Sequence, residues 1–269
     1  MTEIFDNIRQ IYTFSGPCEE LAGYVEFFSE SSFEETNRHI GNECFTVKMF
    51  PSWTPTIYLN LGTPYQLSAG NTLTYINSDD DVLLLRNNIV ERHNLPGDHI
   101  FTIKFFPGGL EAILGINQQY IIDKVISAST VIPAALLAEI KQSPNFSARV
   151  EKLQQYFLLK LHRAKKKTHY VQLVHDVITL YASGNMHHNN SQLADKLFTT
   201  SKTINRCFNN VIGTTPKNYL AILRARTALT EYVADKNNFD PTLLGYYDHS
   251  HFYKDVIKFT GQKLSSCAC

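Results

Sequence analysis

The chain has 269 residues, 43% hydrophobic and 12% aromatic, long enough to bury one large core or two ordinary ones, and two domains are expected. No run approaches the roughly 18 uninterrupted apolar residues of a membrane-spanning helix, which excludes a helical integral membrane protein. The 25 Lys plus Arg balance the 25 Asp plus Glu overall, but residues 1–164 carry 12 basic against 18 acidic side chains (net −6) and residues 165–269 carry 13 against 7 (net +6). That asymmetry is what a polyanion-binding module joined to another domain would show.

The opening "MTEIFDNIRQ" is mixed in charge and lacks the basic-then-apolar order of a secretory leader, so a cytoplasmic location is expected. The five cysteines (Cys18, Cys44, Cys207, Cys267 and Cys269) form no C-x-x-C pair, which argues against a disulfide framework or a zinc site.

Along the chain, "PCEELAGYVEFFSE" reads as a helix. From about residue 44 to 107 come short β-branched and aromatic runs, "CFTVKMF", "TIYLNLG", "NTLTYI", "DVLLLRNNIV" and "HIFTIKFF", punctuated by Pro, Gly, Asn and Asp. They predict a small antiparallel sheet or barrel. From "PGGLEAILGI" the period turns helical, through "QQYIIDKVISAS", "PAALLAEIKQS" and "SARVEKLQQYFLLKLHRA". The last of these is apolar on more than one face, as a dimer interface or a domain-docking helix would be. The basic run Arg163 to Lys167 is the candidate linker. Beyond it, "YVQLVHDVITLYASG", "SQLADKLF", "TSKTINRCFNNVIG", "TPKNYLAILRARTALTEYVAD", "PTLLGYY" and "HSHFYKDVIKFTG" describe an all-α domain. The expected class is α+β: a small β-sheet or barrel domain with helices over 1–164, then an all-α domain over 168–269.

Catalytic signatures are missing. There is no G-x-G-x-x-G, phosphate loop, G-x-S-x-G elbow or H-E-x-x-H. The pairs His187/His188 and His249/His251 do not put two rings on one helix face, so no metal or cofactor is expected. The C-x-C tail at Cys267 and Cys269 reads as a silent terminus.

The stretch "TTSKTINRCF" carries a cap-like Thr200, with Lys202, Thr203, Asn205, Arg206 and Asn209 on one side and Ile204, Cys207, Phe208 and Val211 on the other. A short helix, "SQLADKLF", precedes it by a tight turn, with Ala194 where two helices must approach closely: helix-turn-helix geometry over about 189–212. There the second helix enters the major groove, where Arg can read guanine and Asn adenine. From about 240 to 261 the pattern recurs, with an Asp248 cap, an inner side of Phe252, Val256 and Phe259, and an outer side of His249, Ser250, Tyr253 and Lys254.

In "LADKL..T.K.I.R.F....G..P..YL...R...A" and "GYYDHSHF..D..KFTG" the sequence resembles the AraC/XylS transcriptional regulators, over about residues 168–261. Upstream, "PCEELAGYVEFF", "FPSWTPTIYLNLG" and "KFFPGGLEAILGI" resemble the sensor-type N-terminal domain found on a bacterial subset of that family. The resemblance implies a sequence-specific DNA-binding regulator, not an enzyme, whose two recognition helices enter successive major-groove segments. Lys202, Asn205 and Arg206 would be the main readers of the first helix-turn-helix, and His249, Ser250, Tyr253 and Lys254 those of the second. Candidate partners are double-stranded DNA, a small-molecule effector, RNA polymerase and a second copy of the chain, with no membrane.

The sequence departs from the family at Asp240-Pro241, at Val256, after Gly261, and at Phe198, a turn position usually given to Gly. The first helix-turn-helix is therefore expected to dominate binding. Trp53, Tyr58 and Tyr65 are candidates for an effector pocket, weighed against ordinary core packing, and no ligand residue is assigned. Two rival readings are an enzyme using a reactive cysteine and a protein-interaction module with a degenerate helix-turn-helix tail.

Overall fold

The structure is a computed structural model that describes residues 8–70, 72–163 and 169–264. The chain is α+β and divides into two compact units, one of Met1–Met49 with Trp53–Lys167 and one of Phe50–Ser52 with Thr168–Cys269. All but Arg163 of the basic run at 163–167, and the Cys267 and Cys269 tail, lie outside the described residues. Among those residues no helix is long and apolar enough to cross a membrane.

The first unit runs β1 (Tyr12–Ser15), β2 (Val25–Ser31), α1 (Phe33–Ile40), β3 (Phe45–Met49), β4 (Pro55–Asn60), β5 (Tyr65–Ala69) and β6 (Thr72–Ile76). It continues with β7 (Val82–Leu85), β8 (Val90–Asn94), β9 (Ile100–Phe105), α2 (Gly109–Leu114), β10 (Val125–Ser127), α3 (Ala134–Lys141) and α4 (Phe146–Arg163). The strands make a six-stranded sheet, β1-β2-β9-β4-β7-β10, and a four-stranded sheet, β3-β8-β5-β6. Both are antiparallel.

Strand parity explains the layering. Ile57, Leu59, Leu83, Leu85, Phe101, Ile103 and Phe105 enter one core together with residues of α2, α3 and α4. Their alternates Tyr58, Val82, Leu84 and Ile100 enter a second core with Val47, Leu67 and Val90 of the smaller sheet. The larger sheet is thus covered on both faces, and β4 and β9 are buried along their whole length because neither face meets water.

Two predicted helices are corrected. Residues 17–30 form only a 3-10 turn at Glu19–Leu21 before β2, and 118–129 form two 3-10 turns around β10. In the first case Val25 to Ser31 is paired on both edges, by β1 and β9, and two ladders of backbone bonds outweigh weak helical propensity. The helix α4 sends Val150, Leu153 and Phe157 into the first unit's helix-side core, and Arg149 hydrogen-bonds buried Glu30 at 3.2 Å. Its apolar inner face is therefore consumed within its own unit. Close approach also fixes α2, since a Cβ on Gly109 would lie 2.0 Å from the Tyr24 carbonyl oxygen.

The second unit runs α5 (His169–Ser183), α6 (Asn190–Lys196), α7 (Ser201–Val211), α8 (Pro216–Ala234), a 3-10 turn at Pro241–Leu244 and α9 (His249–Thr260). Helix starts follow the caps. Asn189 and Gln192 form a capping box at α6, Thr215 with Pro216 opens α8, and the Thr200 hydroxyl accepts from the Thr203 N–H at 3.1 Å. The expected short helix over "PTLLGYY" is reduced to a single 3-10 turn, because Gly245, at φ +74°, ends it four residues after Pro241. No other residue fits at 245 without strain: a Cβ there would also stand 2.4 Å from the Met186 carbonyl oxygen.

Candidate functional site

The helix α7 is strongly two-sided. Ile204, Cys207, Phe208 and Val211 are buried, and Phe208 meets Tyr219 of α8 edge-on with ring centres 5.9 Å apart. Leu193 and Ala194 of α6 are buried as well, with Ala194 2% exposed, as a close helix crossing requires. The opposite side presents Lys202, Arg206 and Asn209 to solvent, while Thr203 and Asn205 are half-buried.

The polar groups of that face are not equivalent. Asn205 and Asn209 donate their side-chain amides to the carbonyls of Ser201 and Asn205, at 2.8 and 2.9 Å, and the Thr203 hydroxyl lies 2.9 Å from that of Thr200. Arg206 extends over the Tyr170 ring of α5, 5.8 Å from its centre, which restricts the guanidinium without consuming its donors. Lys202 and Arg206 are thus the two cations of an outer face that carries no acidic residue. Burial pushes the Cys207 thiol up against the opposing pull of Arg206, as for a packing residue rather than a nucleophile.

At the start of α9 the Asp248 carboxylate accepts from the His251 N–H at 2.7 Å. Phe252, Val256 and Phe259 are buried, His249, Ser250 and Lys254 are exposed, and Tyr253 is half-buried. One residue here was not assigned a role from the sequence. Arg224 of α8 bonds the Asp255 carboxylate at 3.0 Å and the Gly245 carbonyl at 3.2 Å, and stacks on Tyr246 at 4.2 Å. Burial alone would lower its pKa, but the Asp255 bond raises it above the ordinary arginine value. Arg224 therefore ties α8 both to the Gly245–Tyr246 turn and to α9. The "R...A" spacing contained the residue, but its partner lies 31 positions away and no local pattern marks it.

Neither a protein-family model nor a curated protein matches the sequence. Among solved structures, an apo variant of ToxT from Vibrio cholerae strain SCE256 is 11% identical with a TM-score of 0.48, covering 83% of this chain and 92% of that one. ToxT from Vibrio cholerae O395 is 13% identical with a TM-score of 0.46, covering 83% and 95%. The AraC-like transcriptional activator CuxR is 12% identical with a TM-score of 0.30, covering 88% and 91%. Likenesses this distant bear on neither the activity nor the site residues.

The turn before α7 carries a local strain. Phe198 adopts φ +49° and is 99% exposed, so its side chain gains nothing from burial while its backbone sits in the left-handed region. Phe198→Gly is expected to stabilise the protein by about 0.5–1 kcal/mol through relief of that strain. An unchanged or lower urea midpoint would contradict this.

In the first unit, Tyr58 and Tyr65 are each 2% exposed and belong to the core between the sheets. Trp53 is half-buried at φ +52° and packs against the helix-side core. Buried Arg92 lies against the two tyrosines, 5.7 Å from the ring centres of Tyr58 and Tyr65. It donates to the Tyr12 hydroxyl at 2.7 Å and pairs with Asp98 at 3.5 Å. Burial pushes the Tyr12 phenol up to about 12, against the pull of Arg92.

Proposed function

We propose that the chain is a sequence-specific, double-stranded DNA-binding transcriptional regulator whose second unit makes the contacts. The observation that carries this reading is the outer face of α7: Lys202 and Arg206 exposed beside Asn209, with no carboxylate on that side, on a helix whose other side is fully packed. A merely solvated helix face ordinarily mixes both signs of charge. Base-edge readout instead favours Arg and Asn near the first turns of a helix.

In this reading Lys202, Thr203, Asn205, Arg206 and Asn209 form the principal reading surface. Asn205 would need to exchange its bond to the Ser201 carbonyl for one to a base. His249, Ser250, Tyr253 and Lys254 of α9 form a second surface, held through Arg224. Because the second helix-turn-helix opens on a 3-10 turn rather than a helix, the first is expected to contribute more affinity. The effector role of the first unit rests on the resemblance of its sequence motifs, and RNA polymerase is a partner implied in the same way.

The test is selection of bound sequences from random duplex DNA with the full chain, followed by affinity measurements on the selected site. Arg206→Ala is expected to cost about 1–3 kcal/mol and to relax preference at one base pair. Failure to enrich any sequence would remove the reading. Unchanged affinity and preference in the variant would remove Arg206 from it.

A further inference from the structure

The edges of the two sheets differ in how they are protected. On the larger sheet, β10 is three residues long, and β1 is four residues long with Phe14 packed on Phe27 at 5.2 Å between ring centres. On the smaller sheet, β3 carries Lys48, paired with Glu91 at 3.7 Å. The remaining edge, β6, reads "TLTYI" and carries neither a charge nor a proline, and asparagines flank it on both sides.

Leu73 and Tyr75 project from β6 on the solvent side of the sheet, 61% and 56% exposed. Their same-face neighbours in register on β5 are the polar Ser68 and Gln66. Among the described residues β6 is hydrogen-bonded to β5 alone. Its outer row of backbone donors and acceptors is therefore open. Natural sheets normally blunt such an edge with lysine, proline, a bulge or extreme shortness, and β6 uses none of these.

We propose that β6 is a self-association surface and that its occupant is β6 of a second copy of this chain, paired antiparallel about a twofold axis at Thr74. An open backbone edge takes a strand, and the sequence of β6 is complementary to itself. With Thr74 opposite Thr74, each Leu73 lies across from the other copy's Tyr75 on the solvent face, and Thr72 lies across from Ile76. Threonine pairs and aromatic–aliphatic pairs are favourable cross-strand neighbours, and no like charges meet. The result is one eight-stranded sheet built from two four-stranded ones, with an isologous interface. Five residues a side is well below the roughly 20–30 of a standard specific interface, so the dimer is weak, reversible and concentration-dependent. This inference does not depend on the DNA reading and can fail or hold without it.

Sedimentation of the full chain over a concentration series tests it. The wild-type protein is expected to shift from monomer to dimer as concentration rises. Leu73→Lys with Tyr75→Lys places lysines opposite one another twice across the axis. Both positions are exposed, so the fold is retained, as circular dichroism would check, and the dimer dissociation constant is expected to rise about tenfold or more. Leu73→Lys with Tyr75→Glu turns the same two pairs into opposite charges and is expected to restore the dimer. A wild-type chain that stays monomeric throughout overturns the proposal. So does a dimer that persists in the double-lysine variant, or a lysine–glutamate variant that remains monomeric.

Discussion

Arg92→Met should destabilise the protein by about 3–5 kcal/mol, the cost of stranding one partner of a buried ion pair. Arg92 and Asp98 are each 1% exposed, and Arg92 occupies the inward parity of β8, in register with Val47 on one side and Leu67 on the other. Removing the cation leaves the Asp98 carboxylate with the Ser31 hydroxyl, which donates to it at 3.2 Å while itself accepting from the Ile100 N–H at 2.8 Å. One hydroxyl does not replace an arginine in that setting. The Tyr12 hydroxyl loses its 2.7 Å donor at the same time.

The pair geometry sharpens the expectation. At 3.5 Å the Arg92–Asp98 contact is long for a charge-assisted bond, so the pair contributes little net stability even though breaking it is costly. The double variant Arg92→Met with Asp98→Leu should therefore recover most of the loss, giving a large coupling in a double-mutant cycle. Urea unfolding followed by far-ultraviolet circular dichroism measures both single variants and the double. A single Arg92→Met variant within about 1 kcal/mol of wild type, or a double variant no better than it, would show that the cluster does not work as a coupled unit.

Much of this fold could be read from the sequence where the deciding chemistry is local. The helices of the second unit begin at Thr200, Thr215 and Asp248 and α9 ends at Gly261 because caps act within three or four residues. The inner stripe of α7 follows from helical period alone. What failed was non-local: β2 and β10 exist because distant strands pair with them, and nothing within "YVEFFSE" or "DKVISAS" announces β9 or β7. Arg92 was legible in part, since it shares parity with Val90 and Asn94 in a run whose alternates are Glu91 and His93. A charge on the buried parity marks a polar cluster, but Asp98, Tyr12 and Ser31 come from other segments. On α7, period correctly exposed Lys202 and Arg206. It could not show that Asn205, beside Ile204 on the flank of the stripe, turns its amide onto its own helix.

On the proposed reading of the second unit as a DNA-binding module, its affinity for duplex DNA is expected to fall steeply with salt. Neutralising phosphates releases condensed counterions, so log affinity declines linearly with log salt at about 0.9 per phosphate contacted. With 13 Lys plus Arg in residues 165–269, the expected footprint is about four to six neutralised phosphates. Affinity should then drop roughly 10²–10³-fold between about 50 and 200 mM salt. The same titration separates base readers from phosphate contacts. Lys202→Ala and Arg206→Ala, as proposed readers of bases, should change preference more than slope, whereas loss of a contact made only to phosphate would weaken binding to all sequences alike and reduce the slope by about one. Fluorescence anisotropy on a selected duplex and on a scrambled one supplies both numbers. A slope near zero would point instead to a module that binds protein, because the net charge of +6 in residues 165–269 would then be acting on no polyanion at all.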